Sequence, residues 1–411
     1  MESSSKKRTI IEYALIIALY YVTGGAFSYT KYSLQITAFF LISLVLCIFL
    51  GVEKYALRRS AFVPWMVMSF FVFLVPLLFN DTISTYLAVI MQLGIGLFCA
   101  SIIEPNDFKH KYINIITFFA AVSLVGFAIG LLMPSVALRF PVTIGDASVD
   151  YYNAGIYVFM RPKGYSSFFL TERNAGICWE PGCYQAFLNI GLLFLFNEEE
   201  KEHQKNFYLK FFILLITIIT TVSTTGIILL LMLLAVYFPI WRKGLKGGWL
   251  LIPLVLILLL WMFNNTAIGE LIQIKINREF SENNGFLDRI SLNKISYLFA
   301  SDSGFPYLLG MSFSKWLTFN TSLWNSIIHS FLCLGTPFTL IHLAGYWKGS
   351  NFLVRKTGIL FLILIMCAST ETLFWRVFFN TIAFYGWIGQ REDKNIVGGV
   401  TDEACGINHC S

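Results

Sequence analysis

About a dozen stretches of this chain stay apolar for roughly 17–25 residues each, the length a helix needs to cross a bilayer. Hydrocarbon offers no water to the backbone, so such stretches must pair their own N–H and C=O groups, and a helix does so. They fall near 9–28, 33–52, 61–79, 85–103, 113–133, 183–197, 207–223, 225–241, 248–264, 324–347, 357–372 and 374–389. The sixth is short, and the last two read as two spans or as one bent helix with a re-entrant piece. Composition agrees: 13% of residues are charged, where a soluble domain carries roughly 25%. The expected fold is an all-α polytopic membrane protein of about 12 transmembrane helices. It has no internal repeat, one integral membrane domain over 1–390 and a tail over 391–411.

The net charge of +6 would suit a nucleic-acid partner if the basic residues were massed together, and they are not. Alternate connections hold Lys6, Lys7 and Arg8; Lys54, Arg58 and Arg59; Lys109 and Lys111; Lys201 and Lys205; Arg242, Lys243 and Lys246; Lys348, Arg355 and Lys356; and Arg391 and Lys394. The short connections opposite hold only Lys31 and Arg376. Basic residues favour the cytoplasmic side. Both termini are therefore expected in the cytoplasm, and two long segments, about 135–182 and 265–323, outside. The basic N-terminus and its apolar run resemble a signal peptide. The run to Phe27 is about 19 residues, against roughly 7–15 for a signal core, and reads as an uncleaved first span.

Six of the 8 cysteines lie in or beside spans, where Cys acts as a small apolar residue. Cys178 and Cys183 enclose Trp179-Glu180-Pro181-Gly182 on the outer side. They read as a disulfide or, more plainly, as two free thiols at a helix start. Cys405, His409 and Cys410 in the tail lack a complete zinc set. No metal and no cofactor is expected.

Chemistry is expected in the outer segments. The first carries Phe140, Tyr151, Tyr152, Tyr157, Phe159, Tyr165, Phe168 and Phe169, whose faces suit sugar rings or an interfacial aromatic belt. It ends Arg173-Asn174-Ala175-Gly176-Ile177-Cys178-Trp179-Glu180-Pro181-Gly182. Pro181 suits a first helical turn, which puts Glu180 at or next to the N-cap. There it is either a cap or a carboxylate able to take a proton from a hydroxyl. Thr220-Thr221-Val222-Ser223-Thr224-Thr225-Gly226 joins two spans, and its hydroxyls cap the helix ends or face a cavity. The second segment carries Asp288-Arg289-Ile290 and Phe305-Pro306-Tyr307-Leu308-Leu309-Gly310-Met311. His329, in Ser326-Ile327-Ile328-His329-Ser330-Phe331, is expected about 8 Å below the outer end of the tenth span. A histidine at that depth faces protein or a wet cavity. Arg289 is the preferred phosphate fork, and Arg376, near Glu371, is a second phosphate contact or half of an ion pair.

In the order of these features the chain resembles the Wzy-type O-antigen and capsular polysaccharide polymerases and the related O-antigen ligases. The likeness rests on four features: the stretch from Arg173 to Pro181, the Ser223-to-Gly226 turn, the Arg289-to-Gly310 loop and the His329-to-Gly335 span. It covers about 110–390. Thr224 and Thr225 stand where family members often have Arg in the turn, and Ser330 where Asn often follows the histidine. The Glu-Pro pair favours polymerases.

The resemblance implies a glycosyltransferase of the bacterial cytoplasmic membrane. It would join the reducing end of one undecaprenyl-pyrophosphate-linked oligosaccharide to a hydroxyl of another. Arg289, supported by Arg173, Arg161 and Arg376, would stabilise the departing pyrophosphate, with Tyr165 and Trp179 as sugar contacts. Glu180 or His329 would be the base. The implied partners are the lipid-linked glycan, membrane lipids, a chain-length regulator and a flippase. Two other readings stand beside this one: a ligase acting on lipid A core, and a lipid-linked oligosaccharide transporter. Transporters usually keep internal repeats and mid-membrane charges, and here the span centres hold almost none.

Overall fold

The computed structural model describes residues 2–26, 32–51, 59–144, 149–162, 173–198, 206–244, 308–318, 325–354 and 358–388. The ninth expected span, most of the second outer segment and the tail lie outside these. The chain is predominantly helical. In order come α1 (Glu2–Gly24), α2 (Tyr32–Leu46, ending in a π turn, Cys47–Gly51), α3 (Arg59–Phe79), α4 (Ile83–Ile102), α5 (Pro105–Leu132) and the single turn α6 (Pro134–Ala137). After a small sheet come α7 (Pro181–Phe196), α8 (Phe207–Thr220), α9 (Thr224–Gly244), α10 (Phe313–Thr318), α11 (Ser326–Leu334), α12 (Thr336–Leu353), α13 (Ile359–Thr370) and α14 (Val377–Ile388). Among the described residues, three helices are long and apolar enough to cross a membrane: Ser60–Phe79, Ile83–Ile102 and Pro105–Leu132. The apolar helices α7, α8, α13 and α14 are shorter.

Helix ends sort to two poles. At one, Arg8 Nη2 donates to Ile102 O (2.9 Å), Tyr385 Oη to Ile103 O (3.0 Å), Lys111 pairs with Glu12 and Asp107, and His110 meets Glu198 (2.8 Å). At the other, Ala26 N donates to Ile177 O (2.9 Å), Phe378 N to Thr23 Oγ1 (2.9 Å) and Asn174 N to Thr220 O (2.9 Å). These contacts make α1, α4, α5, α7, α8 and α14 alternate in direction. Apolar side chains stand outward on α3 (Phe62, Val63, Met66, Phe70, Phe73, Leu77), while Ala61, Met68, Val72 and Val75 point inward. Such a patch is costly in water and natural against lipid.

Inside, α7 is buried along nearly its whole length. Tyr112 and Phe187 stack around Phe378, with ring centroids 4.9 and 5.2 Å away. α12 and α14 approach backbone to backbone. A Cβ on Gly349 would lie 2.0 Å from Ile382 O, and one on Gly386 2.2 Å from Gly349 N. Small residues let two backbones touch where no hydrophobic force drives helices together.

Two features differ from an all-α chain of continuous spans. The first outer segment folds into a three-stranded antiparallel sheet: β1 (Val142–Ile144), β2 (Val149–Asn153) and β3 (Val158–Pro162) in the order β1-β2-β3. Its β-branched and aromatic residues suit a pleated surface. Tyr151 and Val158 bury one face with Ala26 and Trp179, while Tyr152 and Phe159 bury the other with Phe127 and Ala137. The second difference is the expected 324–347 span, which breaks at Gly335 into α11 and α12. Gly335 has φ 89°, and Pro337 opens α12. Residues 308–311 cross the break: Met311 N donates to Leu332 O (2.7 Å) and Thr336 N to Leu308 O (3.1 Å). A Cβ on Gly335 would meet Leu308 O at 2.5 Å, and one on Gly310 (φ 79°) would meet Cys333 O at 2.9 Å. Only glycine fits where two backbones cross with positive φ. His329 thus belongs to a nine-residue helix capped by Asn325 Oδ1, not to a long span.

Gly349→Leu should force α12 from α14 and cost about 1–3 kcal/mol or more. We expect a clear fall in the Tm of the purified protein, while Leu340→Ala on the exposed side of α12 should stay within about 0.5 kcal/mol of wild type.

Candidate functional site

The entry to α7 is fastened to the α8–α9 turn. Asn174 Nδ2 donates to Thr220 Oγ1 and Ser123 Oγ (both 3.1 Å), Arg173 Nε donates to Thr221 O (3.1 Å), and Asn174 Oδ1 accepts from Gly176 N (3.0 Å). Two of the stretches singled out in the sequence therefore meet. The turn's hydroxyls serve the helix ends: Thr220 and Thr221 donate to Thr217 O and Ile218 O (2.8 and 2.7 Å), and Ser223 Oγ accepts from Gly226 N (3.4 Å).

Glu180 is the N-cap residue of α7, in extended backbone (φ −150°, ψ 143°), and Pro181 opens the helix. Its side chain makes no cap hydrogen bond, so capping does not explain a carboxylate here. The carboxylate lying on this helix end belongs to Glu371, which is buried. A Cβ on Gly182 would sit 1.8 Å from Glu371 Oε1. The first-turn N–H groups have no helical partner, and the helix dipole is positive there. Sequence reading placed Glu371 only as a neighbour of Arg376. The Pro181-Gly182 pair, which leaves a helix start bare of side chains, was the signal for more.

The turn after Glu371 carries the next contacts. Arg376 donates through Nε to Thr372 O (3.2 Å), and its guanidinium carbon stands 5.4 Å from the Trp179 ring centroid. Trp179 is held by its backbone, its N–H on Gly24 O (3.1 Å) and its C=O on Tyr151 Oη (2.8 Å). One residue before Arg376, Trp375 faces His329 at 5.5 Å between centroids; Phe313 and Trp316 complete the surround at 5.6 Å each. Both His329 ring nitrogens are buried and, among the described residues, without a hydrogen-bond partner. Ser326 fixes α11 to the same turn, donating to Ala368 O and Glu371 O (2.7 Å each) and accepting from Phe374 N (3.1 Å).

The ring wall on the α10 side is held from the α3–α4 turn. Asp81 Oδ2 accepts from Tyr86 Oη (2.6 Å) and Ser314 N (3.1 Å), and Oδ1 from Thr82 N (2.6 Å) and Ser314 Oγ. Tyr86 Oη accepts in turn from Phe313 N (3.0 Å). Burial works against the Asp81 charge, but the bonds from Ser314, Tyr86 and Thr82 outweigh it and hold the carboxyl at about 2.

Arg376 thus meets Trp179, its chain neighbour Trp375 meets His329, Glu180 adjoins Trp179 in the sequence, and Arg173 binds the α8–α9 turn. Arg161 stands apart: alternation along β3 puts it on the face opposite Trp179, cross-strand from Asp150 and exposed. Arg289 and Tyr165 lie outside the described residues. Cys178 and Cys183 are buried free thiols packed around Gly24. Among the described residues no group of three His, Cys, Asp or Glu is placed to hold a metal; Cys405, His409 and Cys410 lie outside them.

Gly182→Ala should destabilise the fold by displacing Glu371, and the penalty should shrink by about 1 kcal/mol or more in a Glu371→Ala background, read as Tm in a double-mutant cycle. The folded pKa of Asp81 lies below the unfolded value of about 3.9. Its bonds therefore stabilise fully above that value, and this stability is lost as pH falls through about 2. The Tm gap between wild type and Asp81→Asn should be flat from about pH 8 to 5 and close between about pH 4 and 2. No protein-family model matches the chain, and it matches no curated protein and no solved structure.

Proposed function

We propose that the chain is a membrane glycosyltransferase that polymerises undecaprenyl-pyrophosphate-linked repeat units at the outer face of a bacterial cytoplasmic membrane. The observation that carries this reading is the His329 imidazole, with neither nitrogen hydrogen-bonded among the described residues, beside Phe313, Trp316 and Trp375. A buried polar group without a partner calls for one, and a hydroxyl of a sugar stacked on those rings would supply it. The opposite pole carries Arg8, Lys109 and Lys111, which supports a cytoplasmic placement there.

In the proposed reaction an acceptor hydroxyl attacks the anomeric carbon of the donor. The new C–O bond forms as the bond to pyrophosphate breaks, and the proton passes to His329 or Glu180. Arg376, with Arg173 and Arg289, offsets the charge growing on the leaving diphosphate. Tyr165 and Trp179 would steady the glycan, and lipid-facing helices the polyprenyl tail. A chain-length regulator and a flippase are the protein partners this role implies.

The test is a gel of surface glycan from a deletion strain complemented with wild type, His329→Ala, Glu180→Gln and Arg289→Ala. Wild type should restore the ladder. His329→Ala should lower the rate by roughly 10²–10⁴-fold and leave single repeats, as should Arg289→Ala. A normal ladder from His329→Ala overturns the assignment of that residue. Lipid-linked polymer that accumulates without reaching its acceptor in the deletion strain would mark a ligase instead.

A further inference from the structure

We propose that Asp81 is a positioning residue for the transfer site, clasping α10 through Ser314 and Tyr86 so that Phe313 and Trp316 hold the His329 ring. The proposal rests on the transferase reading for its kinetic part and on geometry alone for its structural part.

α10 has six residues and cannot stand by itself, because a helix that short never recovers the cost of nucleation. Its first N–H groups need outside partners. They find them far earlier in the chain, where Asp81 takes Ser314 N (233 residues apart) and Tyr86 Oη takes Phe313 N (227 apart). Both Asp81 oxygens accept two bonds, so its capacity is spent on this junction. The preceding residue, Asn80, takes the left-handed conformation (φ 52°) that asparagine adopts more readily than other side-chain-bearing residues, and so turns the chain between α3 and α4. Two of the three rings around His329 come from α10, and neither nitrogen of His329 is held by a hydrogen bond among the described residues. The imidazole therefore takes its orientation from the rings, and two of those take their place from Asp81. A clasp on the α3–α4 turn thus sets the base from outside the site.

The test combines hydrogen exchange with steady-state kinetics on the full-length protein in nanodiscs, using a lipid-diphosphate oligosaccharide as the probe. Asp81→Ala and Ser314→Ala should both speed exchange across 312–318 by about tenfold or more, and leave 377–388 unchanged. Both should lower kcat by roughly 10–100-fold with KM for the donor shifted less than about twofold. Ser314→Ala leaves Asp81 in place, so it still reports if Asp81→Ala fails to fold. Unchanged exchange in 312–318 overturns the clasp, and faster exchange with unchanged kcat overturns the positioning role. If the wild-type protein turns over no glycan, the transferase reading and the kinetic part fall together, while exchange still decides whether the clasp exists.

Discussion

A carboxylate shut away from water has to be answered by donors and positive charge, or the fold will not keep it. The buried Glu371 carboxylate lies on the start of α7, against Gly182, where the first-turn N–H groups have no helical partner. That contact fixes the turn between α13 and α14, and the turn then decides two things at once. Trp375 faces His329, and Arg376 faces Trp179. Ser326 closes the arrangement by bonding three backbone groups of the same stretch. One buried carboxyl side chain thereby sits where the starts of α7, α11 and α14 meet.

The apolar bundle was plain in the sequence because its signal is long and redundant: an apolar run of twenty residues survives any single misread position. Span limits at α3 and α4 fall within two residues of expectation for that reason, whereas α5 begins at Pro105, eight residues before the expected start at 113. The sheet was not foreseen, since its strands are three to five residues long and sit in a segment read only for its aromatic content. Neither was the break at Gly335. The stretch around it is apolar enough to pass for one helix, and what breaks it is a distant strand of backbone, residues 308–311, that local pattern cannot reveal.

The site shows the same division. Glu180 at the helix start and the hydroxyls of Thr220, Thr221 and Ser223 at helix ends follow from local grammar, whereas the meeting of Arg173 with Thr221, 48 residues on, does not. The partnership of His329 with Trp375, and of Asp81 with Ser314, joins residues far apart in the chain, and only the packed structure brings them together. Arg161 was placed in the site for the opposite reason. Its charge was read without the alternation of β3 that turns it away from Trp179.

The break at Gly335 has a mechanical meaning. A bilayer differs in thickness from place to place, and spanning helices answer by tilting. Were His329 part of one rigid rod with α12, each tilt would swing the imidazole through an arc. Because α11 is anchored by Ser326 to the turn beside α13 and α14 and its axis breaks from that of α12 at Gly335, the imidazole is tied to that turn as well as to α12, which α11 also meets through Ser330 and Thr339 (2.9 Å). A tilt of α12 is then shared between the two attachments.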